Sequence, residues 1–269
     1  MKIVAWNVNG IRARSTEVVQ WVERERPDVV CLQEIKAPRE QVPAPLGDLP
    51  GYWSFWHGHK GYSGVALQLR KETFPGRPLF SHPEFDHETR IVTAQAGDFE
   101  VASLYVPNGG KDFQAKLKFL EALEQFAAQR KDKRLVLCGD LNVAREARDV
   151  HPTLRNEEQI GQTPHERALL EKIIAHGLVA LLRKFYPDDD QLFTWWAPWR
   201  NMRQRNMGWR LDYVLASKSL TSTACTSHRE FGTSDHAPVQ TVLEVPAFAY
   251  QGEPDPPPPA PDPGQLKLL

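Results

Sequence analysis

The sequence predicts an α/β layered domain. Short apolar runs alternate along the chain with stretches of helical period, and polar groups cluster where the apolar runs end. The chain has 269 residues, of which 41% are hydrophobic, enough for one large domain or two small ones with a substantial core.

Ile3–Asn7 and Asp28–Gln33 read as strands. Between them Val18, Val19, Trp21 and Val22 mark a helix that ends before Pro27. Residues 65–69, 91–96 and 100–106 follow as strands. The clearest helix spans residues 112–130: Phe113, Leu117, Leu120, Leu123 and Ala127 recur at helical spacing, and Asp112 is placed to cap it. Residues 134–138 form a buried strand, and residues 164–176 a helix with Pro164 early and Gly177 as its stop. Residues 210–216 and 239–243 are late strands. Ile3–Asn7 and Val136–Asn142 both end an apolar strand in Asn, an internal echo that predicts two similar halves facing one cleft.

No apolar run reaches membrane-spanning length, and the N-terminus reads as a strand rather than a signal peptide. Three cysteines argue against a disulfide framework. Cys31 and Cys138 lie in apolar runs and read as buried thiols, which suits a reducing cytoplasm. The net charge of −1 signals no nucleic-acid partner by itself. Its distribution is uneven: residues 251–269 carry −2, which leaves the body at +1. Residues 195–210 hold Arg200, Arg203, Arg205 and Arg210, no acid, and half of the eight tryptophans. That mixture suits phosphate contact with base stacking, or else a Trp-rich core edge with solvated arginines.

Polar residues end or flank apolar runs at five places: Asn7 with Asn9, Glu34, Asp140 with Asn142, Asp212, and Asp235 with His236. Strand ends are where open α/β sheets put ligands. An oxygen-rich set without a cysteine cluster favours Mg²⁺, with Mn²⁺ as the alternative, over zinc. Carboxylates gathered without a metal would repel one another.

Seven motifs occur in order: Trp6-Asn-Val-Asn-Gly-Ile-Arg12, Leu32-Gln-Glu-Ile-Lys36, Gly61-Tyr-Ser-Gly-Val65, Tyr105-Val-Pro-Asn108, Gly139-Asp-Leu-Asn142, Trp209-Arg-Leu-Asp-Tyr213 and Ser234-Asp-His-Ala-Pro238. Together they resemble the exonuclease III class of abasic-site endonucleases, within the endonuclease/exonuclease/phosphatase superfamily. The resemblance covers roughly residues 1–245 and implies a four-layered α/β sandwich, two packed β-sheets flanked by helices, with the catalytic domain at residues 1–248. It implies Mg²⁺-dependent hydrolysis of the DNA phosphodiester 5′ to an abasic site, with 3′→5′ exonuclease and 3′-end-cleaning activity.

The same resemblance implies roles for the residues. Glu34 is the expected main metal ligand, with Asn7 and Asp235 beside it and with Asp140, Asn142 and His236 bordering the metal group. Asp140 would accept a proton from the attacking water. Asn142 would orient that water or donate to the phosphate, and Tyr105 would contact the same phosphate. Asp212 would hold His236 as an imidazolium that bonds the phosphate. The resemblance leaves the base open among Asp140, His236 and a metal-bound hydroxide. Trp195, Trp209 and Leu211 would wall a small apolar pocket for a baseless sugar. Trp199 falls where some relatives insert a side chain into the duplex; the same pattern suits a core residue. Lys111 stands where some relatives carry Arg, keeping the charge but not the bidentate geometry. Asn9 replaces an Asp, and Glu88-Thr-Arg90 departs from the expected Glu-Gly-Arg.

Other branches of the superfamily, a nonspecific DNase or another phosphoesterase, are the competing enzymes, and a catalytically silent DNA-binding relative is the competing non-enzyme. The expected partner is duplex DNA with abasic sites or 3′ ends, and the expected place is the cytoplasm, at the nucleoid of a bacterial cell. Seven prolines between Pro254 and Pro263 make residues 249–264 an extended linker. The tail Gln265-Leu-Lys-Leu-Leu269 is similar to the short peptide by which bacterial DNA-processing proteins bind the sliding clamp. Its tether over residues 251–264 would reach roughly 40 Å at ~3.1 Å per residue.

Overall fold

The computed structural model describes residues 1–59 and 61–245. The expected linker and the Gln265–Leu269 peptide lie outside the described residues. The first half runs β1 (Lys2–Asn7), α1 (Ile11–Glu25), β2 (Val29–Gln33), α2 (Ala44–Gly47), β3 (Tyr52–His59), β4 (Tyr62–Arg70), β5 (Leu79–Ser81) and β6 (Ile91–Ala96). It continues with β7 (Phe99–Tyr105), α3 (Phe113–Ala128), β8 (Arg134–Asp140), α4 (Pro164–Ala175), β9 (Leu178–Ala180), α5 (Leu181–Phe185), β10 (Asp212–Ser217), β11 (Thr221–Ser227) and β12 (Val239–Glu244).

The strands form two six-stranded sheets, ordered β11-β12-β1-β2-β4-β3 and β5-β6-β7-β8-β10-β9. The layering follows from side-chain alternation. On β1, Ile3 and Ala5 join Val29, Cys31, Val136, Cys138 and Val214 in the core between the sheets. Val4 and Trp6 point the other way and pack with Val18, Trp21 and Val22 of α1. On the outer face of the second sheet, Leu104, Leu137 and Leu215 meet Leu120 and Leu123 of α3 and Leu170 of α4. Strands buried on both faces must be apolar throughout, which is why these runs are so easily read. The result is the expected helix–sheet–sheet–helix sandwich.

Asp112 caps α3, accepting from the Ala115 amide, and Thr163 with Glu166 forms a capping box on α4. The three cysteines are buried and unpaired. Among the described residues no helix is long and apolar enough to cross a membrane.

The internal echo exists, shifted by one strand. Both sheets repeat one order: β1 and β2 pair in parallel around α1, β7 and β8 in parallel around α3, and each second strand is followed by two antiparallel ones. The counterpart of β1 is therefore β7, and that of β2 is β8. The matched Asn endings reflect a common cleft edge rather than equivalent strands. The strands not expected from sequence are β3, β5, β9 and β11. All four are outermost in their sheets, β5 and β9 are only three residues long, and β11 (Thr-Ser-Thr-Ala-Cys-Thr-Ser) carries too little apolar side chain to announce itself.

Candidate active site

Strand register assembles the site. Asp140 ends β8 and pairs directly with Tyr105 on its parallel neighbour β7 and with Asp212 on its antiparallel neighbour β10. Three polar residues thus stand in a row across the edge of the second sheet. β8 runs two residues past its expected end at Cys138, and this extension brings Asp140 into the row. Gly139 permits it: a Cβ there would lie 1.9 Å from the Leu104 carbonyl oxygen. The first sheet contributes from the same edge. Asn7 ends β1 beside Gln33, and Glu34 follows at once. Asn9, Glu34 and Asn142 all hold positive φ, 43°, 53° and 50°, in the tight turns that aim them inward.

The side chains form one hydrogen-bond network. Asn7 Nδ2 donates to Glu34 Oε2 and to Asp140 Oδ2, at 3.0 Å each. The Asn142 amide donates to Asp140 Oδ1 at 2.9 Å, while its side-chain nitrogen reaches the Val106 carbonyl at 2.9 Å. His236 Nδ1 lies 2.9 Å from Asp212 Oδ2, and His236 Nε2 faces Asp140 Oδ2 at 3.7 Å. Asp235 accepts from Asn9 Nδ2 at 2.8 Å and from Trp195 Nε1 at 3.0 Å, so each of its oxygens already holds a donor. Ser234 Oγ donates to the Asn7 carbonyl at 2.7 Å and ties the Asp235–His236 turn to β1.

Burial and charge set the protonation states. Burial would lower the His236 pKa, but Asp212, Asp140 and Asp235 outweigh it and raise it to about 10. Asp140 is pushed upward by burial, and also by Asp212, against the pull of His236. Asp235 is held below the usual carboxylate range: burial opposes ionisation, and His236, Asn9 and Trp195 together overcome it. Burial lifts the Tyr105 hydroxyl well above its ordinary value, with Glu34 and Asp140 adding to the rise.

Asp140, Asp212 and His236 bring ligand atoms within 4.8 Å of one another, and with His236 held as an imidazolium the carboxylates are the groups that could hold a metal ion. The donor chemistry fits a hard cation. Asp212 Oδ1 is buried with no hydrogen-bond partner, and the carboxylates of Glu34 and Asp140 share a single amide nitrogen. Closely set, buried carboxylate oxygens call for compensating positive charge.

Glu34, Asp140 and His236 line a cleft of about 410 Å³ together with Tyr105, Asn142, Trp195, Trp209 and Leu211, while Asp212 is buried behind His236 and is not part of the lining. Trp195 meets Trp209 edge to face, with centroids 5.8 Å apart, and both pack with Leu211, Val150 and Ala144. The expected apolar wall therefore stands directly beside the polar row. Lys111 is not in this cleft. It borders a neighbouring hollow with Tyr62, Glu88 and Arg90. Trp199 is not in the cleft either, and at 59% exposure it is no core residue.

The Trp/Arg segment divides between the two readings. Arg210 is fully buried and paired with Asp149, at 2.6 and 2.9 Å. Arg203 lies over the Trp196 ring and donates to the carbonyls of Arg229, Phe231 and Ser234. These two arginines are braces, whereas Arg200 and Arg205 beside Trp199 are exposed.

Sequence reading missed two lysines. Lys36 Nζ bonds Asn9 Oδ1 at 2.6 Å and Glu34 Oε1 at 2.8 Å, neutralising charge at the cleft. Its signal was the Glu-x-Lys spacing inside a motif already singled out. Lys116 is completely buried, ion-paired with Glu166, and donates to the Asn142 carbonyl at 2.7 Å. A lysine one residue before Leu117, on the apolar side of α3, was its signal.

Paired carboxylates, a carboxylate-held imidazole and a cation-seeking pocket are the equipment of a phosphoester-cleaving site. Comparison with known proteins agrees. The model of the endonuclease/exonuclease/phosphatase family matches residues 4–236, and the chain belongs to that family. It is 36% identical to the DNA repair nuclease APEX1 of Danio rerio over 91% of this chain and 83% of that protein. It is 32% identical to an exodeoxyribonuclease of Bacillus subtilis, over 91% of this chain and all of that one. Among solved structures, an AP endonuclease from Archaeoglobus fulgidus superposes with a TM-score of 0.81 at 30% identity, over 91% of this chain and all of that one. A 3′ phosphatase from Neisseria, bound to a product DNA hairpin, gives 0.82 at 28% identity with the same coverage.

Proposed function

We infer that this protein is a DNA-repair nuclease that hydrolyses the phosphodiester 5′ to abasic sites in duplex DNA, with 3′→5′ exonuclease and 3′-end-cleaning activity, using Mg²⁺. One observation carries the reading: Asp140 and His236, the latter held by Asp212, share a single cleft with the Trp195–Trp209–Leu211 wall. The polar row suits a phosphate, and the apolar wall suits a sugar without a base. The names of the relatives, a DNA repair nuclease, an exodeoxyribonuclease and an AP endonuclease, point to the same substrate.

Glu34 would hold the metal, with Asn7 and Asp235 beside it and Asp140 next in the network. When bound, the ion would neutralise phosphate oxygens and the leaving 3′-oxygen. The protein's own groups do the rest. Asp140, whose raised pKa gives it affinity for a proton, accepts one from the attacking water. Asn142, fixed by Val106 and Asp140, orients that water. His236 stays an imidazolium against Asp212 and donates through Nε2 to the phosphate, as Tyr105 does through its hydroxyl. The exposed Trp199 stacks in the duplex at the gap left by the missing base. Lys111, in the neighbouring hollow, meets a flanking phosphate. The clamp-binding reading of Gln265–Leu269 rests on sequence alone; deleting those residues and measuring clamp affinity tests it.

The test of function uses a duplex with one abasic site, incubated with Mg²⁺ or EDTA, for the wild type and for Asp140→Asn. Metal-dependent incision on the 5′ side that Asp140→Asn abolishes is the expected result. Uniform cutting of intact duplex would make the protein a general DNase, and binding without cutting a silent relative.

A further inference from the structure

A second group of metal-ligating side chains lies away from the cleft. His57, His82 and Asp86 offer ligand atoms within 4.8 Å of one another. His57 is on β3, the outer strand of the first sheet. His82 directly follows β5, the outer strand of the second sheet. The two sheet edges meet there through a ladder of rings: Phe55 stacks on Phe80 with centroids 5.5 Å apart, and two residues further along His57 stacks on His82 at 4.7 Å.

We propose that His57, His82 and Asp86 form a site for a divalent transition metal of the zinc class, which clips the two sheet edges together. Two imidazoles and one carboxylate form a borderline donor set, which prefers Zn²⁺, Co²⁺ or Ni²⁺ to the Mg²⁺ expected at the oxygen-rich cleft. The carboxylate is already oriented. Asp86 Oδ1 accepts from the backbone amides of Arg90 at 2.7 Å and Ile91 at 3.1 Å, and Oδ2 lies 2.5 Å from His57 Nε2. Such outer contacts fix the geometry of metal-binding groups. An ordinary His–Asp hydrogen bond accounts for His57 and Asp86 but not for a second imidazole brought against the first from the other sheet.

A metal lies in the plane of the imidazole that binds it, and the two rings are only 12° from parallel. One ring must therefore turn out of the stack when the ion enters. That ring is His82, which is exposed, whereas His57 is held by Asp86. The ion binds with a three-ligand protein set and completes its shell with water. The turn so clipped leads to Arg90, whose guanidinium lies 4.9 Å from the Tyr105 ring centroid.

The test is a Zn²⁺ and Co²⁺ titration of the whole chain in excess Mg²⁺, which keeps the cleft occupied. Calorimetry reads stoichiometry, Co²⁺ absorption reads ligand type, and NMR of the histidine ring protons reads the stack. We expect one additional ion per chain, loss of the His82 ring-current shift on binding, and at least ~10-fold weaker binding in His82→Ala and in His57→Gln. Circular dichroism checks that both variants fold. Binding that both variants retain, or no additional ion in the wild type, overturns the proposal. DNA incision is not the readout, so failure here leaves the proposed nuclease function standing, and the converse.

Discussion

Asp212 Oδ2 lies 2.9 Å from His236 Nδ1, and neither group reaches solvent to any useful degree. The contact fixes the ring so that Nε2 points into the cleft toward Asp140. It also keeps the imidazole charged across the neutral range, because the nearby carboxylates outweigh the burial that would lower its pKa.

Replacing Asp212 with Asn keeps the shape and removes that charge. Incision should fall roughly 10²–10³-fold, the range associated with losing one preorganised donor to the charge that develops on the phosphate. The alkaline limb of the pH–rate profile should move to lower pH, since the main upward influence on His236 is gone. Steady-state rates between pH 6 and pH 10 read both effects. A near-normal rate, or an unmoved alkaline limb, would remove Asp212 from this role.

The same pair makes stability depend on pH. The His236 pKa is about 10 in the folded chain and ~6.5 when unfolded. A raised folded pKa stabilises fully below the unfolded value and loses that contribution as pH climbs through the folded one. In EDTA, the stability advantage of wild type over His236→Asn should shrink steadily between about pH 6.5 and pH 10. Urea denaturation across that window measures it, and an advantage that stays level or grows contradicts the assignment.

Trp199 separates binding from folding. It is exposed, so Trp199→Ala should change stability by no more than ~0.5 kcal/mol. Its affinity for abasic duplex should fall by about 1–3 kcal/mol if the ring stacks in the lesion gap. Thermal melting together with fluorescence anisotropy tests both. Unchanged affinity would discard the stacking role.

Lys116 and Glu166 are both fully buried and paired with each other, beneath the turns that carry Asn108 and Asn142. Lys116→Met strands the Glu166 charge and should cost about 3–5 kcal/mol of stability. Adding Glu166→Gln removes that charge while leaving an acceptor for the Gly161 amide, and should recover part of the loss. Chemical denaturation of the single and double variants decides. Equal stability of the two would show that the charge is not the source of the cost.

The fold was legible where chemistry left one choice. Strands such as β1, β2 and β8 are covered on both faces, so their apolar runs stand out, and α3 carries both its stripe and its Asp112 cap. The outer strand β11 is half solvated, so its serines and threonines look like loop. The cleft residues were legible as polar groups ending or flanking apolar runs, but their partners were not. The register that sets Asp140 against Asp212 spans 72 residues of chain and depends on β8 extending to its last residue. Arg210 shows the opposite error. In the sequence it belongs to a basic, aromatic stretch, yet its guanidinium is consumed by Asp149, which lies 61 residues away along the chain.

Selection of a sugar without a base is the property expected of this cleft. Its most direct test is the single-turnover rate of cleavage, in Mg²⁺, of a duplex with one abasic site against the same duplex undamaged. The expected ratio is at least ~10²-fold in favour of the abasic strand, with cleavage confined to the 5′ side of the lesion. Trp209→Ala, which opens the apolar wall, should bring the two rates closer together. Equal rates on both duplexes for the wild type would contradict that selectivity.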